Sequence, residues 1–374
     1  MKKILKNWFN GLNQPLLLNQ GHEPICSSMN EVGAAQHSNG GRDETFDVLK
    51  GIAIFLMILG HCEVYPLYPF IYSFHMPLFF FVAGYFLKIR PFRDELRLNI
   101  RRLIVPYIFS AVCISVIAIC IDLSNYTWAD GSFSQGFIIK LLLGYNGEVT
   151  PKWLNGNIGA CRFILAMFFA RCITVPLVSK IKSNRLLFFI FFLLGILGMY
   201  LERFFFVPYC IPQGISATGF IYAGFLVKKF RLLEMDRVKI IVPFLLLLWL
   251  YCWVQKETIS MVHCRFPTGY VFSLFGALGA FFTLYVVVKN LYRKESLFWK
   301  IIHWGGRYSL VIYCIHCIEV NLSNWRGFAI LHHIPLEHLP FFQIFMRIII
   351  AAGFTLIVLK INPLKEHVFQ IKDV

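Results

Sequence analysis

Charged residues are scarce in this chain of 374 residues, and acidic ones are the scarcest. Charged side chains make up 15% of the sequence, with 20 Asp and Glu against 36 Lys and Arg. Soluble globular chains usually carry about 25% charged residues, and disordered chains combine high charge with low hydrophobicity. The composition therefore excludes a disordered protein and most soluble enzymes.

The cysteine spacings typical of metal sites are also missing. The sequence holds eleven cysteines, mostly inside apolar runs, and no CxxC followed by a second CxxC. Cys314 and Cys317 form one CxxC around His316, but it lies in an apolar stretch where small residues simply pack between helices. The sequence therefore predicts neither a secreted disulfide scaffold nor a zinc site, and we expect no metal.

The sequence is rich in long apolar segments. Hydrophobic residues make up 57% of the chain, and Phe alone occupies 39 positions. A bilayer core needs about 20 apolar residues per helix. The predicted fold is therefore all-α: a polytopic membrane helix bundle of about ten transmembrane helices. The predicted spans are 46–65, 69–88, 102–123, 157–178, 186–206, 213–230, 238–255, 268–289, 303–325 and 341–361.

The basic residues predict the orientation of these spans. If the N-terminus is cytoplasmic, 25 Lys and Arg fall on the cytoplasmic side, 6 on the opposite side and five inside spans. Cytoplasmic loops carry such an excess, so the count favours N-in and C-in. The same distribution accounts for the net charge of +16 without a nucleic-acid partner. It favours contact with anionic membrane lipids instead.

The chain divides into one membrane domain and two tails. Residues 1–41 are polar and are predicted to form a flexible cytoplasmic tail, 42–364 the transmembrane domain, and 365–374 a cytoplasmic C-terminal tail. Asn13, Gln14 and Pro15 interrupt the first apolar run, so no cleavable signal peptide is expected. The predicted location is multi-pass in the cell inner (plasma) membrane.

The first span carries two ionisable residues, and such residues inside a membrane span are costly and often functional. Lys50 and His61 are eleven positions apart, about 16 Å along a helix and on nearly the same face. Lys50, near the cytoplasmic end, could bind an anionic cofactor, and the imidazole of His61, deeper in the membrane, could carry out the chemistry. The alternative is a snorkelling lysine and a histidine at the helix end. The spacing leaves both interpretations open.

Three further spans place polar residues at a depth similar to that of His61. His75 lies near the outer end of the second span and Arg162 near the outer end of the fourth. The ninth span carries His316 and Glu319 three residues apart, so they share a face and can hydrogen-bond. Each residue singly is equally compatible with a structural hydrogen bond. Together they predict a site in which a carboxylate orients a histidine base.

These residues stand in motifs that resemble the acyltransferase-3 family of integral-membrane O-acyltransferases, especially its sugar O-acetyltransferase branch. The resemblance covers about 42–361. The first two motifs are specific in order and separation, and the later ones follow the family's order. The matching pieces are Lys50-x10-His61, FHMPLFFFVAGYF at 74–86, RRLIVPY at 101–107, RFILAMFFAR at 162–171, IYAGFLVKK at 221–229 and GRYSLVIYCIH at 306–316.

The resemblance implies an enzyme that moves an acetyl group from cytoplasmic acetyl-CoA to a sugar hydroxyl. The acceptor would be a cell-surface polysaccharide or its lipid-linked precursor. His61 matches the family's essential histidine, as general base or acyl carrier, and Lys50 matches its basic partner. Many members have a second arginine where this chain has Val105, so Arg97 or Arg101 would have to compensate. The candidate site residues are His61, His75, His316 and Glu319 for catalysis, Lys50, Arg93, Arg97, Arg101 and Arg102 for the CoA phosphates, and Arg162 for the acceptor.

Two other functions compete with this prediction. Intramembrane His, Arg and Glu on several helices are also typical of transporters and proton-coupled channels. No internal repeat is evident, which weakens the transporter interpretation. The second competitor is a membrane sensor whose acyltransferase site has decayed, and the presence of Lys50, His61 and His75 argues against it.

Overall fold

The chain folds as an all-helical bundle. The computed structural model describes residues 44–124, 132–145, 151, 161–256 and 258–371. These ranges contain fifteen α-helices and no β-strand; the only extended pairing described is an isolated bridge between Ser260 and Arg265. The all-α prediction is therefore confirmed. The predicted tail 1–41 lies outside the described residues.

The helices are numbered in chain order. They are α1 (Glu44–Gly60), α2 (Tyr68–Tyr72), α3 (His75–Tyr85), α4 (Phe92–Asn99), α5 (Val105–Ser124), α6 (Ser132–Leu143), α7 (Arg162–Lys180), α8 (Asn184–Phe204), α9 (Ile211–Lys229), α10 (Met235–Val254), α11 (Tyr270–Leu291), α12 (Leu297–Arg307), α13 (Ser309–Leu322), α14 (Trp325–Leu331) and α15 (Leu339–Lys360). A π-helical turn, Ile100–Ile104, joins α4 to α5.

Seven helical segments of the described chain are long and apolar enough to cross a membrane. The other three predicted spans are also helical, but α1 has 17 residues, α13 has 14, and the glycine-rich α9 is less apolar. The long stretch predicted between the third and fourth spans carries α6, a helix that the hydropathy pattern did not predict. The chain is thus a polytopic membrane protein with spans of unequal length.

Two predicted spans are broken in ways that matter for the site. The second span divides at Ser73 and Phe74, between α2 and α3. Pro77 lies in the first turn of α3. In a continuous helix its ring would clash with the carbonyl of Ser73, and it has no N–H to donate to that carbonyl. The ninth span divides at Tyr308, between α12 and α13. His75 and His316 therefore stand on short helices rather than in the middle of long ones.

Glycines allow the inner helices to approach each other closely. A Cβ added at Gly51 on α1 would overlap the carbonyl oxygen of Ile302 on α12, and one at Gly306 would overlap that of Asp47. The same relation joins α3 and α9, where a Cβ at Gly84 would overlap the carbonyl of Ile221. Small residues permit such backbone contact between membrane helices. These contacts fix α1 and α3 at the centre of the bundle.

Candidate active site

His61 occupies the turn that follows α1. The helix ends at Gly60, whose carbonyl accepts a hydrogen bond of 2.9 Å from the Tyr72 hydroxyl. The His61 amide donates to Ile58, at 3.1 Å. A side chain from the neighbouring α2 thus satisfies a carbonyl that the helix leaves open at its end. His61 projects from a tethered turn and not from the helix itself.

His61 lines a cavity of about 290 Å³ together with His75 and Arg162. Three of the predicted site residues, from three different spans, are therefore brought together. Gln213 and Tyr313 add two further polar groups to the wall. The rest of the lining is largely apolar, as is usual for a pocket in which a few polar groups orient a ligand.

His75 is the first residue of α3 and is 3% exposed. Its Nδ1 lies 2.7 Å from the carbonyl oxygen of Ile71. A carbonyl only accepts hydrogen bonds, so Nδ1 carries the proton, and in the neutral ring Nε2 is the acceptor. The break between α2 and α3 therefore supplies the bond that orients this histidine. His75 can accept a proton or a hydroxyl hydrogen bond through Nε2.

His316 lies next to His61, with ring centroids 5.1 Å apart. Its Nδ1 is 3.3 Å from Oε2 of Glu319, as the spacing of the two residues predicts. This contact leaves Nε2 of His316 as the acceptor nitrogen, and that atom is buried without a hydrogen-bond partner among the described residues. His61, His316 and Glu319 thus form a consecutive series from the cavity into the protein.

Glu319 is held from several directions. It accepts a hydrogen bond of 2.6 Å from Ser323 and a second one from the Trp325 indole. Nε of Arg347, on α15, lies 3.5 Å from Oε1 of Glu319, and Arg347 is 7% exposed. A buried carboxylate and guanidinium need each other because either alone is costly in a dry interior. Arg347 is one of the five basic residues that fall inside predicted spans, in 341–361, and the sequence predicted no role for it. An arginine in an apolar helix was the signal that pointed to it.

Gln213 is a second residue that sequence reasoning missed. It is 4% exposed, and its Nε2 donates to Glu202 at 2.7 Å and to the Val262 carbonyl at 2.8 Å. Both partners are acceptors, so the orientation of the amide is fixed. Oε1 has no hydrogen-bond partner among the described residues, although Gln213 lines the cavity. A glutamine inside an apolar, glycine-rich span was the signal that could have identified it.

At the other end of α1, Lys50 pairs with Asp47 at 2.7 Å. His303 of α12 lies 3.8 Å from the second oxygen of Asp47. Nearer the start of α1, Lys294 approaches Glu44 to 2.7 Å and lowers the pKa of that carboxyl by hydrogen bonding to it. Lys50 therefore belongs to a polar cluster shared by α1 and α12.

The predicted CoA-binding arginines lie elsewhere on the same predicted side. Arg171 on α7 donates to Glu95 at 2.6 Å and to Asn99 at 3.0 Å, and Glu95 is fully buried. This network fixes α4 and the π-helical turn against α7. The segment thus presents a cationic surface and is anchored through Glu95 and Arg171, for which the sequence predicted no role. The exposed arginines it presents are Arg93, Arg97, Arg101 and Arg102.

No group of three or more His, Cys, Asp or Glu side chains is placed to hold a metal ion in the described part of the chain. Cys314 and Cys317 are buried on α13 among packed helices. The described polar groups around the cavity are proton donors and acceptors, so the chemistry available to them is proton transfer or nucleophilic attack by an imidazole.

Comparison with known proteins gives a family match over most of the chain and short matches to two relatives. Residues 43–360 match the model of the acyltransferase-3 family, described as an acyltransferase domain. Nodulation protein NolL of Sinorhizobium fredii is 40% identical over 67 residues, which cover 15% of this chain and 18% of that protein. NolL of Mesorhizobium japonicum is 38% identical over 65 residues, which cover 14% and 17%. Each alignment thus spans less than a fifth of its relative. No solved structure matches the chain significantly.

Proposed function

Because the chain belongs to the acyltransferase-3 family, we propose that it is a membrane O-acyltransferase that moves an acetyl group from acetyl-CoA to a sugar hydroxyl. The acceptor is a cell-surface polysaccharide or its lipid-linked precursor, and the protein works in the inner membrane. The observation that carries the proposal is the cavity shared by His61, His75 and Arg162, with His316 and Glu319 behind His61.

The polar series behind His61 suggests how it is activated. The carboxylate of Glu319, 3.3 Å from Nδ1 of His316, favours a proton on that nitrogen, so that Nε2 of His316 can accept the N–H of His61. The other nitrogen of His61 is then unprotonated and available. Orientation of a base by a second group of this kind is a general feature of acid–base and nucleophilic catalysis.

Two routes then lead to the same products. In the first, His61 takes the proton of the acceptor hydroxyl while the oxygen of that hydroxyl attacks the thioester carbonyl. The C–S bond breaks, and the CoA thiolate recovers the proton. In the second, the unprotonated nitrogen of His61 attacks the thioester, the C–S bond breaks, and the proton of the other ring nitrogen passes to the CoA sulfur, so that CoA leaves as the thiol. The sugar hydroxyl then displaces the imidazole from the acyl group and returns its proton to the ring.

The donor approaches from the predicted cytoplasmic side. The phosphates of CoA need cations, and the arginines Arg93, Arg97, Arg101 and Arg102 form an exposed basic surface there. Lys50 is close to the same side on α1, about 16 Å from His61 along the helix. On this proposal the phosphates stay among these cations while the thioester reaches toward His61.

The test uses purified protein in detergent with radiolabelled acetyl-CoA and a crude surface-glycan extract. We expect His61→Ala to lower transfer of label into glycan by about 10²–10⁴-fold, the usual contribution of a positioned base. His338→Ala is the matched control, because His338 lies on the surface. Label bound covalently to the protein before acceptor is added would select the second route. Undiminished transfer by His61→Ala would refute the mechanism.

A further inference from the structure

A second cavity, of about 580 Å³, lies beside the active-site cavity. The end of α8 and the segment 263–267 form it, and we call it the outer groove. Its polar residues are Arg203, His263 and Arg265, and its aromatic residues include Tyr200 and Phe204. It lies toward the ends of the helices that face away from the Lys50 cluster, on the predicted outer side of the membrane.

The basic residues of the outer groove depart from the charge distribution of the chain. The sequence places only six Lys and Arg on the predicted outer side. Arg203 and Arg265 are two of those six, yet they line a single groove together with His263. Membrane topology explains an excess of cations in cytoplasmic loops but not a cluster on the opposite side. A cluster of basic side chains on that side is suited to binding an oxyanion such as a phosphate.

The segment 259–267 separates the two cavities. Ser260 and Arg265 exchange two backbone hydrogen bonds of 3.0 Å, and Ile259 donates to the Tyr72 carbonyl at 3.1 Å. Met261 and Val262 line the active-site cavity, whereas the residues from His263 onward line the outer groove. The wall is therefore a short, hydrogen-bonded loop with one side in each cavity.

Glu202 joins the two cavities through its carboxylate. One oxygen accepts the 2.7 Å bond from Gln213, which lines the active-site cavity, and the other lies 3.9 Å from Nδ1 of His263 in the outer groove. Glu202 is 1% exposed. It fixes the Gln213 amide so that Oε1 remains as an acceptor, and a sugar hydroxyl is the kind of donor that such an acceptor would hold.

The groove also has an apolar side. Tyr200 and Phe204 are more than half exposed, and Ile196 of the same helix is 44% exposed. Exposed apolar side chains on a membrane-spanning helix face lipid. An occupant of the groove can thus place an anionic group at the arginines and an acyl or prenyl chain against α8.

We propose that the outer groove binds the phosphate of a lipid-linked glycan acceptor, whose sugar passes over the edge of the 259–267 loop so that one of its hydroxyls meets Gln213 Oε1 in the cavity that His61 also lines. This inference rests on the proposed acyltransferase function and specifies its substrate class. The arginines would then contribute to acceptor affinity, and the acyl-transfer chemistry would remain with His61 and its neighbours.

The experiment divides the glycan extract into an organic-soluble, lipid-linked fraction and a water-soluble polysaccharide fraction. KM and kcat are measured for each fraction with wild type, the double variant Arg203→Gln/Arg265→Gln, and the control Arg326→Gln. Arg326 is another of the six predicted outer cations, and it lies on α14, outside the groove. Dodecyl phosphate serves as the competing probe, and dodecyl maltoside is its uncharged counterpart.

We expect wild type to use the lipid-linked fraction and to be inhibited by dodecyl phosphate but not by dodecyl maltoside. The double variant should need at least about tenfold more acceptor at a similar kcat, because each charge-assisted hydrogen bond to a phosphate is worth that order of affinity. Dodecyl phosphate should no longer inhibit it. Arg326→Gln should behave as wild type. If the double variant folds poorly, the acceptor KM can be compared between Arg203→Lys, which keeps the positive charge, and Arg203→Gln, which removes it.

Two results would overturn the inference. The first is an unchanged acceptor KM in the double variant; if its binding to phosphatidylglycerol vesicles is lost at the same time, the groove is a site for bilayer headgroups. The second is equal use of the water-soluble fraction. Native mass spectrometry measures binding of dodecyl phosphate to each variant and so tests the phosphate site without turnover.

Two outcomes separate this inference from the proposed function. If wild type releases no CoA, the acyltransferase function is refuted. If His61-dependent turnover is retained and the acceptor KM of the double variant is unchanged, only the phosphate site in the outer groove is refuted.

Discussion

The two ends of α1 are built in opposite ways. At one end, Lys50 and Asp47 form an ion pair, and the backbones of α1 and α12 touch through Gly51 and Gly306. At the other end, the helix stops at Gly60 and His61 stands in a turn at the edge of a cavity. One end is closed by packing, and the other is held by hydrogen bonds.

The two ends differ in what surrounds their buried polar atoms. Around His61, His316 Nε2 and Gln213 Oε1 have no hydrogen-bond partner among the described residues, and Gln213 lines the cavity. At the packed end, the buried Asp47 Oδ2 lies within ion-pair distance of His303, at 3.8 Å. Buried polar groups are ordinarily satisfied, so exceptions need an explanation such as a catalytic role. We infer that the packed end fixes position and that the cavity end supplies the chemistry. Each of the following substitutions tests one side of this comparison.

The largest effect is expected at the cavity end, from Glu319→Gln. An amide is nearly the same size as the carboxylate, but it cannot neutralise Arg347 or fix the proton on Nδ1 of His316. Breaking a buried pair by removing one charge costs about 3–5 kcal/mol. We expect a lower thermal unfolding midpoint in detergent and a loss of acetyl transfer.

A second substitution separates these two consequences. Glu319→Gln combined with Arg347→Gln removes the unpaired charge as well, so it should recover part of the lost stability without recovering activity. If the double variant regained activity together with stability, Glu319 would be a purely structural residue.

A smaller effect is expected at the packed end, from Gly51→Ala. The new methyl group would overlap the carbonyl of Ile302, and overpacking usually costs about 1–3 kcal/mol. Gly353→Ala is the matched control, because Gly353 is also helical and has open space around its Cβ position. That change should be neutral or stabilising by up to about 1 kcal/mol. Equal unfolding midpoints for the two variants would contradict the close approach of α1 and α12.

The smallest effect is expected from Lys50→Gln. Lys50 is 20% exposed and its partner Asp47 is 2% exposed, so the pair is partly solvated. If Lys50 also meets a CoA phosphate, its loss should raise the KM for acetyl-CoA about threefold to tenfold with little change in kcat, because a partly solvated ion pair is worth less than a buried charge-assisted hydrogen bond. Lys50→Arg should restore most of the affinity. A changed kcat with unchanged KM would place Lys50 outside donor binding.

The sequence was sufficient for the helical class and for the placement of His75, Arg162 and His316 near His61. Hydropathy predicted the spans because the bilayer admits few alternatives, and the three-residue spacing of His316 and Glu319 predicted their contact. The same pattern could not reveal the break at Ser73–Phe74 as part of the site, because a proline indicates a distortion but not which side chain it orients.

Pairings between distant segments were beyond the sequence. Glu95 and Arg171 lie 76 positions apart, and only the packing of α4 on α7 brings them together. Gln213 is polar in a span where polar residues are costly, yet its role depends on Glu202 and on a loop carbonyl from Val262. Hydropathy records the cost of such residues but not the partners that offset it.

The shortness of α1 has a further consequence. At 1.5 Å per residue, its 17 residues extend about 25 Å, less than the roughly 30 Å of a hydrocarbon core. Because α1 lies at the centre of the bundle, the depth that it leaves unspanned is enclosed by other helices and not by lipid. The turn at His61 therefore opens into a space that side chains of neighbouring segments shape, and the thickness of the bilayer does not decide what reaches it.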